Sequence, residues 1–105
     1  MHRMDDDFEW LRDDQDRHLP IHLNMKPSDY VRRNCYVTLE ADENPTALRQ
    51  SLDEFGEDHI LMATDYPHFD SEYPHTVSKL QANAVLSDTQ KEKSLGENAR
   101  KLLHV

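Results

Sequence analysis

Apolar positions are thinly spread over the first third of the chain. Between residues 4 and 17 they recur at Met4, Phe8 and Leu11 inside an acidic run. That spacing predicts a helix with one narrow apolar face. Pro20 and Pro27 bracket an irregular connection. The stretch KPSDYVRRN then predicts a short helix that tolerates Pro27 in its first turn. The pattern changes at CYVTLEA, residues 35–41, where β-formers dominate and a strand is expected. In ENPTALRQSLDEFG, Asn44 suits the N-cap and Pro45 the first helical position. Leu48, Leu52 and Phe55 follow at i, i+4 and i+7, and Gly56 closes the helix. HILMAT, residues 59–64, is apolar on both faces, as a strand covered on both sides must be. Strands at about 35–40 and 59–64, joined by a helix over about 45–55, have the length of a βαβ unit. They should be parallel, with a right-handed crossover.

Closing helices are expected over about 76–104. VSKLQANAVL carries the first of them. Ser87 and Gln90 stand at capping-box spacing at the head of the next, which Gly96 should end. ENARKLLHV then makes a last short helix, with Ala99, Leu102 and Leu103 as its contacts.

Composition narrows the function classes. The chain of 105 residues carries 12 Lys+Arg against 21 Asp+Glu, a formal net charge of −9. So negative a surface repels phosphate backbones and anionic lipid, which argues against nucleic-acid or membrane partners. No run of 18 apolar residues is present to span a bilayer, and the acidic N-terminus is unlike a secretion signal. Cys35 is the one cysteine and has no internal partner, which points to a reducing compartment, the cytoplasm by default. At 36% hydrophobic residues the chain is lean for a self-contained domain. Either it folds marginally or it belongs to something larger.

The chemistry concentrates where the apolar run HILMAT ends in Asp65, Tyr66, Pro67 and His68. In a parallel α/β architecture, ligands are met at the C-terminal ends of the strands. A carboxylate at that point is held by rigid backbone, where it can bind a metal ion or accept a proton. Pro67 cannot donate to the ladder and ends the strand. The competing reading makes Asp65 a turn-starting cap. Other candidates are weaker. His18 and His22 have i, i+4 spacing but Pro20 lies between them. His59 falls at the strand's N-terminal end, the stability face. Cys35 reads as a buried inert thiol, and Trp10 as packing beneath the acidic helix. Arg32 and Arg33 read as helix-end charges, and His75 as a loop residue.

EFGEDHILMATDYPH resembles the final barrel strand of the amidohydrolase-related (amidohydrolase 2) family of metal-dependent hydrolases. KPSDYVRRNCYVT is similar to that family's segment leading into the preceding strand, and LSDTQKEKSLGENARKLL to its closing segment with Gly-x-Asn-Ala. The resemblance implies a (β/α)8 barrel with a divalent metal, zinc by analogy, at the C-terminal mouth. It implies hydrolysis by a metal-activated water, or decarboxylation of an aromatic acid, on a small-molecule substrate. Asp65 maps onto the family's metal-binding and catalytic aspartate, and His68 onto a substrate or second-shell position. The family's His-x-His pair has no counterpart here. A full barrel takes about 250 residues, so residues 1–105 read as a partial domain holding the last two βα units. Alone, such a segment should be inactive and either self-associate or meet a partner chain that supplies the rest of the barrel. A non-catalytic acidic α/β interaction module is the alternative.

Overall fold

Prolines and acids shape the N-terminal third into two helices, α1 (His2–Asp13) and α2 (Pro27–Asn34). The structure, a computed structural model, describes residues 1–13 and 23–105. His18, Pro20 and His22 lie outside the described residues. The described chain divides into two units, Met1–Cys35 and Tyr36–Val105.

In the first unit Pro27 occupies the first helical position of α2, where no backbone donor is needed. The next donor, the Ser28 N–H, is met by a side chain of α1. It donates to Asp5 Oδ1 at 2.9 Å, and Ser28 Oγ donates to Asp5 Oδ2 at 2.6 Å. Asp5 thus caps α2 from outside, with its charge at the positive end of the helix. Lys26 pairs with Glu9 at 2.9 Å. The hydrogen bonds from Ser28 hold the Asp5 carboxyl below its usual value, with Lys26 and Arg32 assisting. A depressed folded-state pKa stabilises above the unfolded value and is lost as pH falls through the folded one. The α1–α2 packing should therefore hold at neutral pH and loosen only below about pH 4. Asp5→Asn should flatten that acid limb in a pH series of helical circular dichroism. An unchanged limb would show that Asp5 does not set it. Trp10 is 61% exposed, so it does not pack beneath α1. Cys35 is exposed too, not a buried thiol, because it caps the end of α2 ahead of the strand.

In the second unit β1 (Val37–Leu39) and β2 (Ile60–Met62) pair in parallel, Val37 with Ile60 through Leu39 with Met62. The helix between them, α3 (Pro45–Phe55), starts as its sequence dictates. Asn44 accepts from the Thr46 N–H at 2.8 Å, and Pro45 takes the first position. Gly56 leaves the helix at φ +81°, a conformation that costs glycine no Cβ clash. Both strands are shorter than expected; β2 starts one residue late because His59 is drawn into a 3₁₀ turn, Glu57–His59. There its Nδ1 lies 3.2 Å from the Phe55 carbonyl and its ring meets Tyr36 edge-on at 4.7 Å, a structural role.

The core gathers Ala41, Leu48, Leu80 and Leu86, with Leu39 and Met62 of the two strands packed against it. Side chains alternate along a strand, so Thr38 and Leu61 turn to the opposite face.

α4 (Thr76–Ala82) stops four residues earlier than its pattern predicts. Asn83 Oδ1 captures the N–H groups of Val85 at 2.8 Å and Leu86 at 3.3 Å, an Asx turn that competes with helix. α5 (Asp88–Glu92) opens on the full Ser87–Gln90 capping box. Gly96 does not end it. A π-helical turn, Lys93–Glu97, runs straight into α6 (Asn98–Leu103). Burial of Ser94 and Asn98 on this run outweighs the stop signal of one glycine. Lys93 binds Glu57 at 2.5 Å and Asp58 at 2.9 Å, tying the run to the turn before β2. Among the described residues no helix is long and apolar enough to cross a membrane.

Candidate functional site

Parallel pairing brings the C-terminal ends of β1 and β2 to one edge, and acidic side chains collect there. The Ala63 N–H still donates to the Leu39 carbonyl at 2.9 Å, so the ladder runs just past β2. It then turns at Asp65, whose φ is +51°. Aspartate is among the few residues that visit this left-handed region at modest cost. The turn is closed by the His68 N–H donating to the Asp65 carbonyl at 2.9 Å.

This geometry returns the His68 ring onto the carboxylate three residues after β2. His68 Nδ1 stands 2.6 Å from Asp65 Oδ2. With its proton on Nδ1, the imidazole donates to Asp65 and presents Nε2 outward. The Asp65 side chain is 40% exposed and that of His68 68%. Asp70 completes the group: one donor atom from each of Asp65, His68 and Asp70 lies within 4.8 Å of the others. Two carboxylate oxygens and one imidazole nitrogen make a donor set that suits zinc or manganese. All three donors come from the one loop that follows β2.

Glu40 stands one residue beyond β1 at the same edge. Partial burial pushes its carboxyl above the usual carboxylate value, and the charges of Asp65, Asp42, Asp70 and Glu43 add to the shift. Register places Glu40 beside Ala63, on the face opposite the core.

Of the residues singled out from sequence, Asp65 and His68 come together. His75 heads α4 and His59 sits at the other end of β2, neither in the group. Arg32 and Arg33 serve α2: Arg32 lies 3.7 Å from Asp29, and Arg33 lies over the Tyr30 ring at 5.2 Å. Sequence reasoning missed Asp70 and Glu40. The spacing Asp-x-x-His-x-Asp was readable once a turn at Asp65 was supposed. Glu40 required the strand register.

A family model described as amidohydrolase matches residues 13–105. No curated protein matches the chain. Solved structures share its fold, three decarboxylases among them. One is the 5-carboxyvanillate decarboxylase of Sphingomonas paucimobilis, 25% identical over 99% of this chain with a TM-score of 0.78. A dihydroxybenzoic acid decarboxylase from a Polaromonas species, solved with manganese and the inhibitor 2-nitroresorcinol, is 25% identical over 99% with a TM-score of 0.73. A 2,6-dihydroxybenzoate decarboxylase bound to 2,6-dihydroxybenzoate is 23% identical over the full chain, with a TM-score of 0.74, and supports the fold alone. The chain spans 29% of the length of the first two and 30% of the third.

Proposed function

The chain belongs to the amidohydrolase family, and we propose from that premise that it carries the last two βα units of a metal-dependent decarboxylase of aromatic acids. The observation that carries this reading is the convergence of Asp65, His68 and Asp70 just past a parallel strand. The family match crosses both structural units, which supports reading residues 1–105 as one partial domain without a second. Decarboxylation is favoured over hydrolysis because the solved relatives are decarboxylases of hydroxylated aromatic acids. Manganese in one of them supports a divalent cation and gives zinc no preference.

The residues have distinct tasks in this reading. Asp65 would hold the cation, and His68, with Nδ1 2.6 Å from Asp65 Oδ2, would orient that carboxylate. When bound, the cation would supply positive charge that favours an anionic, oxygen-bearing substrate. Loss of carbon dioxide breaks the ring–carboxylate bond and leaves its electron pair on the ring carbon, which must take a proton. His68 would deliver it from Nε2 in its doubly protonated form, with Asp65 accepting from Nδ1–H 2.6 Å away. His68 contacts the substrate or supports Asp65 rather than anchoring the cation by itself. A small aromatic acid is the partner, and the remaining strands come from further polypeptide in the intact enzyme.

Three donors from one exposed loop compete poorly with water. This chain alone should bind manganese only weakly, with a dissociation constant near the millimolar range, worth about 4 kcal/mol. Isothermal titration checks this. A complete barrel containing the segment should bind manganese far more tightly and release carbon dioxide from dihydroxybenzoates. Tight binding by the 105-residue chain would overturn the shared-ligand reading. A complete protein that binds manganese yet leaves every hydroxylated aromatic acid intact would overturn decarboxylation.

A further inference from the structure

The two ends of the loop after β2 are tied together by one hydroxyl. Ser71 Oγ donates to the Thr64 carbonyl at 2.5 Å and accepts from the Tyr73 N–H at 3.2 Å. The Ser71 N–H donates to the His68 carbonyl at 3.2 Å. Thr64 immediately precedes Asp65, and Ser71 immediately follows Asp70. The clamp therefore brackets the segment that bears all three donor side chains. Beyond it the Tyr66 and Tyr73 rings meet with centroids 4.8 Å apart, on the exposed side of the same loop. Few apolar contacts hold this segment: Phe69 at its tip is fully exposed. Its shape thus depends on these polar links, and Ser71 makes three of them.

We propose that Ser71 is the positioning residue of this centre. Its hydroxyl closes residues 64–71 into one conformation and so sets the separation of Asp65, His68 and Asp70. The inference rests on the reading that these three residues face a divalent cation. Ser71 touches neither cation nor substrate and acts through the backbone of Thr64 and Tyr73. Without the hydroxyl the Thr64 carbonyl and Tyr73 N–H pass to water. The left-handed turn at Asp65 then loses one of the contacts that hold it. The donors would spread over a wider range of separations, and a cation would have to gather them again.

The test uses manganese and the 105-residue chain labelled for NMR. In the wild type, manganese should broaden the resonances of residues 65–70 selectively. Ser71→Ala should weaken that effect by about tenfold in apparent affinity, the low end of what loss of a ligand-supporting contact costs. Ser71→Thr, which keeps a hydroxyl, should restore it. A metal-free readout stands beside this one: amide exchange at His68 and Tyr73 should quicken in Ser71→Ala while amides of β1 and β2 keep their rates. Unchanged manganese affinity in Ser71→Ala, or exchange quickening equally in loop and strands, overturns the proposal. Wild-type broadening spread evenly over the acidic surface overturns the cation site itself. The exchange comparison then separates that failure from a failure of the clamp.

Discussion

Asp65→Asn should lower the turnover of an intact enzyme bearing this segment by about 10²–10⁴-fold, the usual scale for loss of an acid–base or metal-activating group. The substitution keeps the shape and removes the charge. It should preserve the left-handed turn, because asparagine shares aspartate's tolerance of that region. What it removes is specific. The carboxylate would offer oxygens to a cation, and it stands 2.6 Å from His68 Nδ1, from which it accepts when that nitrogen carries the proton. An amide is a poorer ligand, and it presents the imidazole with a neutral partner. Metal content, measured alongside turnover, should fall with it. Full turnover in a well-folded Asp65→Asn enzyme would return Asp65 to the role of a turn former. His68→Gln should cost less, since the imidazole supports Asp65 and meets substrate but does not by itself hold the cation.

Much of this arrangement was legible in the sequence, and each success has a local cause. Asn44, Pro45 and Gly56 fix the ends of α3 by capping chemistry that acts within a few residues. The run from Ile60 to Met62 has too little polar content to be anything but a covered strand. Parallel pairing followed from the length of the connection alone. The failures are non-local. Gly96 carries a stop signal, yet the helical run passes through it because Asn98 is fully buried beyond it. Cys35 has the composition of an interior residue, but its place between α2 and β1 leaves it exposed. Glu40 joins the site through the strand register, which its own neighbourhood does not carry, and Asp70 through the turn at Asp65, whose backbone the spacing alone does not specify.

Asn98 shows how the Gly-Glu-Asn-Ala motif contributes, and its removal should have the largest effect on stability. The side chain is fully buried. Its Nδ2 donates to the Glu57 carbonyl and to the Ile60 carbonyl, both at 2.8 Å. One amide group therefore fastens the C-terminal helical run to the turn before β2 and to the first residue of β2. Asn98→Ala leaves two carbonyls without that donor and opens a small void. An unsatisfied buried polar group costs about 1–3 kcal/mol. Two opposing terms reduce the sum. Asn98 Oδ1 is itself buried without a hydrogen-bond partner, so the native amide already bears part of that cost. The Glu57 carbonyl is also the less enclosed of the two acceptors. The expected loss is about 2–3 kcal/mol, a large share of the 5–15 kcal/mol typical of whole domains. Urea denaturation should show it as a lowered midpoint with an unchanged slope. Asn98→Asp should be no better than alanine, because a carboxylate would set oxygen against both carbonyls. A shift under about 0.5 kcal/mol in Asn98→Ala, the range of ordinary surface changes, would mean that the Lys93 ion pairs with Glu57 and Asp58 hold this junction instead.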